Sequence, residues 1–167
     1  MLHSEIIKRT ALELGFSACG VAKVEATDSE IGHYDRWVAK GYQAGMHYMA
    51  NHREIRRHPE ELLAGAKTII SVALNYYPAQ KLPDEAPQIA YYAYGKDYHV
   101  VVKERLRQLW QALSEPAEMR CFTDSAPLFE RYWAWKAGLG WIGKNGCLIL
   151  PNQGSFFFLG EIVTTEE

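Results

Sequence analysis

The residue with the clearest chemical potential is Asp124, an acid between two predicted elements. It follows a stretch, 117–123, that predicts a strand, and it precedes a stretch, 125–137, that predicts a helix. Proteins built from strands and helices often place reactive side chains at such junctions. An acid there could donate a proton to a departing group if its surroundings keep it neutral. The position also suits a helix N-cap, with Ser125 as a second capping candidate, and both interpretations stay open.

A glycine-rich corner follows that predicted helix. Gly138, Gly140 and Gly143 match the spacing G-x-G-x-x-G, and with Lys144 they match G-x-x-x-x-G-K. We reject both nucleotide-binding interpretations, because these glycines follow a helix and lead into an apolar strand, whereas phosphate binding needs the reverse order. A Walker loop also needs Ser or Thr after the lysine, where Asn145 stands. We expect a helix end and a tight corner, with Lys144 as a candidate ligand contact.

Other polar residues give weaker signals. The cluster of Arg53, Arg56, Arg57 and His58 is either a solvated loop or an anion clamp. His99 stands alone at the start of a predicted helix, where a histidine is commonly structural. The six histidines include no H-E-x-x-H pair, so we expect no metal site.

Composition is that of an ordinary globular protein. The chain has 167 residues, of which 48% are hydrophobic and 23% charged, enough for one domain with a core. A net charge of -2 gives no general attraction to nucleic acid or to an anionic membrane, and no apolar run is long enough to span a membrane. The aromatic content of 13% supplies either core or a pocket for a flat ligand. Cys19, Cys121 and Cys147 lie far apart without a C-x-x-C motif, which fits a reducing cytoplasm.

The spacing of apolar residues predicts strands alternating with helices and a terminal hairpin. The N-terminal stretch has helical spacing and is not a signal peptide. We therefore predict an α+β fold, a single domain with a mixed β-sheet flanked by helices. The predicted strands are 18–24, 67–74, 89–94 and 117–123, with a hairpin of 147–150 and 155–163; the predicted helices are 4–14, 28–40, 97–113 and 125–137, with helical turns at 46–51 and 59–63.

Four segments of the chain together carry a family resemblance. They are GMHYMANHREIRRHPEELLAGAKTIISVALNYYP (45–78), YYAYGKDYHVVVKERLRQL (91–109), FTDSAPLFERYWAWKAGLGWIGKN (122–145) and GSFFFLGEIVT (154–164). These segments resemble the epoxyqueuosine reductases, and the resemblance extends over nearly the whole chain. This family consists of cobalamin-dependent iron–sulfur enzymes of bacterial tRNA modification that are related to reductive dehalogenases. The resemblance implies reduction of epoxyqueuosine to queuosine at the tRNA wobble position, with electrons reaching cobalamin through two [4Fe-4S] clusters.

The resemblance also implies particular site residues. The proton-donating aspartate of the family falls on Asp124. Asp97 and His99, within GKDYH, match the substrate rim. The residues implied to contact cobalamin are Arg57, Phe129, Arg131, Lys144, Asn145, Leu148 and Leu159.

In the family, a ferredoxin-like segment that binds both clusters follows the GEIVT strand, whereas this sequence stops at Glu167. We therefore expect residues 1–167 to form the cobalamin-binding catalytic domain, without an iron–sulfur cluster and inactive without the cluster domain. The implied partner is the anticodon loop of tRNA, contacted largely by the rest of the enzyme, and we expect a cytoplasmic monomer without membrane contact. The alternatives are a cobalamin-binding module without redox activity of its own, and a structural domain in which Asp124 is only a cap.

Overall fold

A four-stranded antiparallel sheet forms the centre of the computed structural model, which describes residues 4–114 and 116–167. The strand order is β1-β2-β6-β3, and β4 and β5 form a separate two-stranded ladder. The α+β class is confirmed, but the sheet that we expected to be mixed is antiparallel at each pairing. The reason is that β2 and β3 run in the same direction and β6 lies between them. The strands are β1 Ala18–Lys23, β2 Thr68–Asn75, β3 Met119–Phe122, β4 Trp141–Ile142, β5 Leu148–Ile149 and β6 Phe157–Thr164.

Helices cover both faces of the main sheet. On one face, Ile70 and Val72 of β2 pack with Leu106 in an apolar cluster that includes the first and fourth helices. On the other face, Ile69 packs with Trp133 of the fifth helix. Because both faces are covered, β2 is buried everywhere except at its two ends, in agreement with its apolar sequence. None of the helices within 4–114 and 116–167 is long and apolar enough to cross a membrane. The helices are α1 Ser4–Glu13, α2 Asp28–Ala39, α3 Arg53–Arg57, α4 Tyr98–Leu113 and α5 Glu130–Lys136.

Helix α4 lies close against β6 because Gly160 has no side chain. A Cβ atom at Gly160 would lie 2.7 Å from Cγ1 of Val102 and 3.1 Å from Cδ1 of Leu106. The helix begins just after Asp97, whose side chain accepts a hydrogen bond from the backbone N–H of His99 and serves as the N-cap. This close packing fixes the helix that carries Tyr98 and His99.

The predicted strand 89–94 is wrong, and so is the pairing of the predicted terminal hairpin. Tyr91–Ala93 forms a short 3₁₀ helix, because the backbone N–H groups of Ala93 and Tyr94 donate to the local carbonyl oxygens of Ala90 and Tyr91 and not to another strand. In the hairpin region, β5 pairs with β4, while β6 enters the main sheet. Leu150 and Gly154 form an isolated bridge between them. A strand as apolar as β6 is buried most completely when both of its edges and both of its faces are covered.

The glycine-rich corner has the predicted form. Helix α5 is followed by Ala137 as its C-cap and then by Gly138, whose φ of +83° is in the left-handed region that glycine favours. Gly140 permits a close backbone approach, because a Cβ atom there would lie 2.0 Å from the carbonyl oxygen of Ile149. The two glycines therefore end the helix and allow the β4–β5 ladder to form.

Replacing Gly140 with Ala is expected to destabilise the protein through this backbone clash. We expect the free energy of unfolding to fall by about 1–3 kcal/mol or more, as for overpacking of a close contact. Urea unfolding measures the change. Gly45→Ala is the matched control, because nothing lies within 4 Å of a Cβ atom at Gly45, and it should change stability by at most about 0.5 kcal/mol. Equal stability of the two variants would contradict the close approach at Gly140.

Candidate active site

Asp124 lies in an irregular loop between β3 and α5, not at a helix N-terminus. The predicted helix start at 125 is wrong, because α5 begins at Glu130 and is preceded by Phe129 without a side-chain cap. Pro127 explains part of this difference, since a proline disfavours helical geometry in the residue before it. The capping interpretation of Asp124 is therefore wrong. Its φ of +58° is in the left-handed region, where a non-glycine residue costs about 1–2 kcal/mol.

Hydrogen bonds to three elements hold this strained loop. The hydroxyl of Thr123 donates to the backbone oxygen of Leu159 in β6 at 2.7 Å. The backbone N–H of Asp124 donates to the carboxylate of Glu130 in α5. The ammonium of Lys103 in α4 donates to the hydroxyl of Ser125 at 3.4 Å. Contacts made elsewhere in the chain thus compensate for the backbone strain.

The Asp124 carboxylate is at the end of a chain of polar groups from the start of α4. The Tyr98 hydroxyl donates a hydrogen bond to it. Nε2 of His99 lies 3.5 Å from Oδ2 of Asp124, and Nδ1 of the same ring lies 2.8 Å from Oδ1 of Asp97. Hydrogen bonds from the His99 ring and backbone hold the pKa of Asp97 below its usual range. An imidazole between two carboxylates can carry a proton from one to the other.

The ring of Tyr98 is held between two other rings. It stacks on Phe158 of β6 at 4.2 Å with an interplanar angle of 3°, and on His99 at 4.1 Å. Burial, together with the hydrogen bond to Asp124, raises the pKa of the Tyr98 hydroxyl. The hydroxyl therefore stays protonated at neutral pH and acts as a donor to Asp124.

A cavity of about 320 Å³ opens next to Asp124. Four of the predicted site residues line it: Asp124, Arg131, Leu148 and Leu159. The other lining residues are Tyr76, Tyr98, Thr123, Glu130, Cys147, Ser155, Phe157 and Phe158. The wall combines apolar and aromatic surface with a few polar groups, which is the usual character of a small-molecule site.

The remaining predicted residues lie outside the cavity lining. Lys144 and Asn145 are exposed in the turn between β4 and β5. Arg131 adjoins this turn, because its guanidinium donates to the backbone oxygen of Gly146. The Phe129 ring packs instead against Tyr34 of α2, with centroids 5.9 Å apart.

Arg57 and its basic neighbours are mostly paired with acids. Arg57 Nε lies 2.8 Å from Oδ1 of Asp28, and Arg53 pairs with Asp35. These ion pairs fit a solvated surface better than a free anion clamp. Within 4–114 and 116–167, no cluster of three or more His, Cys, Asp or Glu residues could hold a metal ion.

Sequence reasoning missed two acids near Asp124. Glu130 lines the cavity, and burial raises its pKa to about 7 despite the hydrogen bond from Asp124 N–H. Glu161 is completely buried in β6. The signal for Glu161 was present in the sequence, because it is the one acid within the apolar stretch FFFLGEIVT. Glu130 had no comparable signal, since an acid in the first turn of a helix is common.

A distant structural match shows how widely this fold occurs. A reductive dehalogenase, whose structure suggests a mechanism for B12-dependent dehalogenation, shares the fold with a TM-score of 0.57 and 17% identity. That match covers 96% of this chain and 19% of the dehalogenase. The chain thus has the fold found within a reductive dehalogenase.

Matches of higher identity are with epoxyqueuosine reductases. Residues 56–125 match the family model described as Epoxyqueuosine reductase QueG, DUF1730. The epoxyqueuosine reductase of Cyclobacterium marinum is 46% identical over 166 residues, which is 96% of this chain and 54% of the relative. The structure of the Streptococcus thermophilus epoxyqueuosine reductase has a TM-score of 0.89 and 31% identity, and the match covers 100% of this chain and 47% of that one.

A further epoxyqueuosine reductase was solved with an epoxyqueuosine-modified tRNA-Tyr stem loop. It matches with a TM-score of 0.84 and 28% identity over 96% of this chain and 44% of that one. The chain is thus similar to epoxyqueuosine reductases along nearly its whole length. It spans about half the length of the curated relatives that it matches.

Replacing Tyr98 with Phe should loosen the Asp124 loop while keeping the aromatic stack. Loss of the hydroxyl removes a hydrogen bond to Asp124 and should lower the free energy of unfolding by about 0.5–1.5 kcal/mol. Urea unfolding measures stability, and backbone NMR relaxation of residues 123–129 measures loop motion. Tyr92→Phe, at an exposed tyrosine, is the control and should change neither. If the motion of residues 123–129 is the same in Tyr98→Phe, the other hydrogen bonds are sufficient to hold the Asp124 loop.

Proposed function

We propose that this chain is the cobalamin-binding catalytic part of an epoxyqueuosine reductase and that Asp124 is its proton donor. The observation that carries the proposal is the position of the Asp124 carboxylate at an open cavity, in contact with Tyr98 and His99. The relative solved with an epoxyqueuosine-modified tRNA stem loop supports the choice of substrate. In this proposal residues 1–167 are one domain, and the ferredoxin-like cluster domain of the family is a separate unit.

The proposed reaction needs a proton at the departing oxygen. Removal of an epoxide oxygen as water leaves a carbon–carbon double bond and consumes two electrons and two protons. Protonated Asp124 transfers one proton to the oxygen and becomes a carboxylate, which the Tyr98 hydroxyl then stabilises through its hydrogen bond. His99, in contact with both Asp124 and Asp97, helps to position the Asp124 carboxylate.

The cavity wall fits one side of a corrin and its amide groups. Leu148 and Leu159 give an apolar surface, and Arg131 adds an exposed cationic donor. The exposed residues Trp141 and Ile142 extend the apolar surface along β4. When bound, cobalamin would supply the electrons for the reduction. The residues proposed to hold it are Arg131, Leu148 and Leu159 in the cavity lining, with Lys144, Asn145, Phe129 and Arg57 as further contacts from outside that lining.

The proposal includes tRNA as the partner, recognised through its anticodon loop. The net charge of this chain is -2, so we assign most of the phosphate contacts to the rest of the enzyme. We further propose that the protein acts as a monomer in the cytoplasm, where tRNA is modified. The two [4Fe-4S] clusters of the family are assigned to the separate cluster domain.

Asp124→Asn in the complete enzyme should abolish turnover without loss of cobalamin. The amide keeps the shape of the side chain but cannot donate the proton, so the rate of queuosine formation should fall by about 10²-fold or more. Visible absorption checks cobalamin content, and circular dichroism checks folding. The matched control, Asp84→Asn in an exposed loop, should keep full activity. Surviving turnover in Asp124→Asn would show that the acid lies elsewhere.

The 167-residue chain should bind cob(II)alamin in a saturable manner, seen as a shift of its visible absorption spectrum toward the base-off form. Arg131→Met should weaken this binding because it removes the cationic donor of the wall. Arg107→Met, at an exposed arginine of α4, is the control and should bind as the unmodified chain does. Lack of saturable binding by the unmodified chain would contradict a corrin site formed by these residues alone.

A further inference from the structure

Glu161 is an acid with no exposure in the middle of the main sheet. It lies on β6 opposite Ser71 of β2 and Phe122 of β3. Its neighbour Gly160 faces α4, so the alternation of side chains along the strand directs Glu161 to the α5 face. Among the described residues, neither carboxyl oxygen of Glu161 has a hydrogen-bond partner.

A carboxyl group in this position is held in its neutral, protonated form. Burial of a charge without a counter-charge is strongly unfavourable, so the group keeps its proton instead. Burial raises the pKa of Glu161 well above its usual value, and the nearby carboxylate of Glu130 raises it further. Ser71 is the uncharged polar neighbour on β2.

Glu130 is an acid at the start of α5, the helix that packs against the face of β6 toward which Glu161 is directed. It begins α5, lines the cavity and accepts the backbone N–H of Asp124. Burial is the main cause that raises the pKa of Glu130 to about 7, and the Asp124 carboxylate raises it further, while Arg131 and His99 lower it. Glu130 can therefore gain and lose a proton near neutral pH, which is the range useful for proton transfer.

We propose that Glu130 and Glu161 form a carboxyl pair that holds a proton behind Asp124 and returns it to Asp124 through the cavity. The O–H bond of the Glu130 carboxylic acid breaks, and an O–H bond forms on the Asp124 carboxylate. Glu161 keeps its own proton, so Glu130 and Glu161 are not both charged at once. Glu130 is then reprotonated from solvent through the cavity. This inference rests on the proposed role of Asp124 as the proton donor.

The pair can be tested in the 167-residue chain without any cofactor. We would follow the ¹³C signals of the glutamate side-chain carboxyl groups by NMR between about pH 4 and about pH 9. The Glu161 signal, identified by its loss in Glu161→Gln, should stay in the protonated position through neutral pH. The Glu130 signal, identified with Glu130→Gln, should titrate near pH 7, and Asp124→Asn should lower its midpoint. Glu104→Gln, at an exposed residue of α4, should leave both titrations unchanged.

Titration of both acids near the ordinary value for glutamate would overturn the carboxyl pair. Glu161→Met serves as a second variant if Glu161→Gln does not fold, because it also removes the buried carboxyl signal.

In the complete enzyme, Glu130→Gln should slow multiple turnover by about tenfold or more and remove the loss of activity as the pH rises past 7. If Asp124→Asn is inactive but the turnover of Glu130→Gln equals that of the unmodified enzyme, Glu130 does not return the proton to Asp124, while the proposed function stands. If the NMR titrations hold but Asp124→Asn is active, the pair exists and the proposed function fails.

Discussion

The position of β6 between β2 and β3 is the constraint on which the site depends. On one face, the missing side chain at Gly160 lets α4 lie against the strand. At the preceding residue, the backbone oxygen of Leu159 receives the hydroxyl of Thr123 and so holds the Asp124 loop. The helix that carries Tyr98 and the loop that carries Asp124 are thus both positioned from one strand. A change in the register of β6 would move the two together.

The site combines an exposed half and a buried half with different electrostatics. Asp124, Asp97 and His99 are accessible to solvent, where charges are screened and polar contacts exchange readily. Glu130 and Glu161 lie behind them, where burial disfavours charge. Acids that differ in this way can hold different numbers of protons at the same pH, which is a common arrangement in sites that move protons.

Features of the fold that depend only on residues close together in the chain could be predicted from the sequence. Three such local signals are the apolar run of β2, the periodicity of α4 and Gly138 just after the end of α5. The structure contains the strand, the helix and the left-handed glycine that they predict. The predicted start of α5 was too early, although Pro127 was a local signal against helical geometry at residue 126. The conformation of the loop before α5 could not be predicted, because it depends on the hydrogen bond from Thr123 to Leu159, which lies far along the chain. The direction of the sheet likewise depends on the insertion of β6, which no local pattern encodes.

Of the candidate site, the sequence predicted some of the residues that line the cavity but not the acids that lie near Asp124. The structure brings Asp124, Arg131, Leu148 and Leu159 together at one cavity, and their roles there stay predictions. Arg57 does not line that cavity and pairs with Asp28 instead. The relation between Glu130 and Glu161 depends on the packing of α5 against the sheet, and a sequence pattern does not reveal such packing.

The contact between Gly160 and α4 also limits which side chains proteins of this fold can carry at these positions. A single methyl group at this position would push α4 outward, although residue 160 does not line the cavity. Tyr98 would move with the helix and away from Asp124. Residues 160 and 102 are therefore expected to change together in evolution, with a larger side chain at one tolerated only with a smaller side chain at the other. A substitution at residue 160, outside the cavity lining, would in this way reshape the cavity through Tyr98.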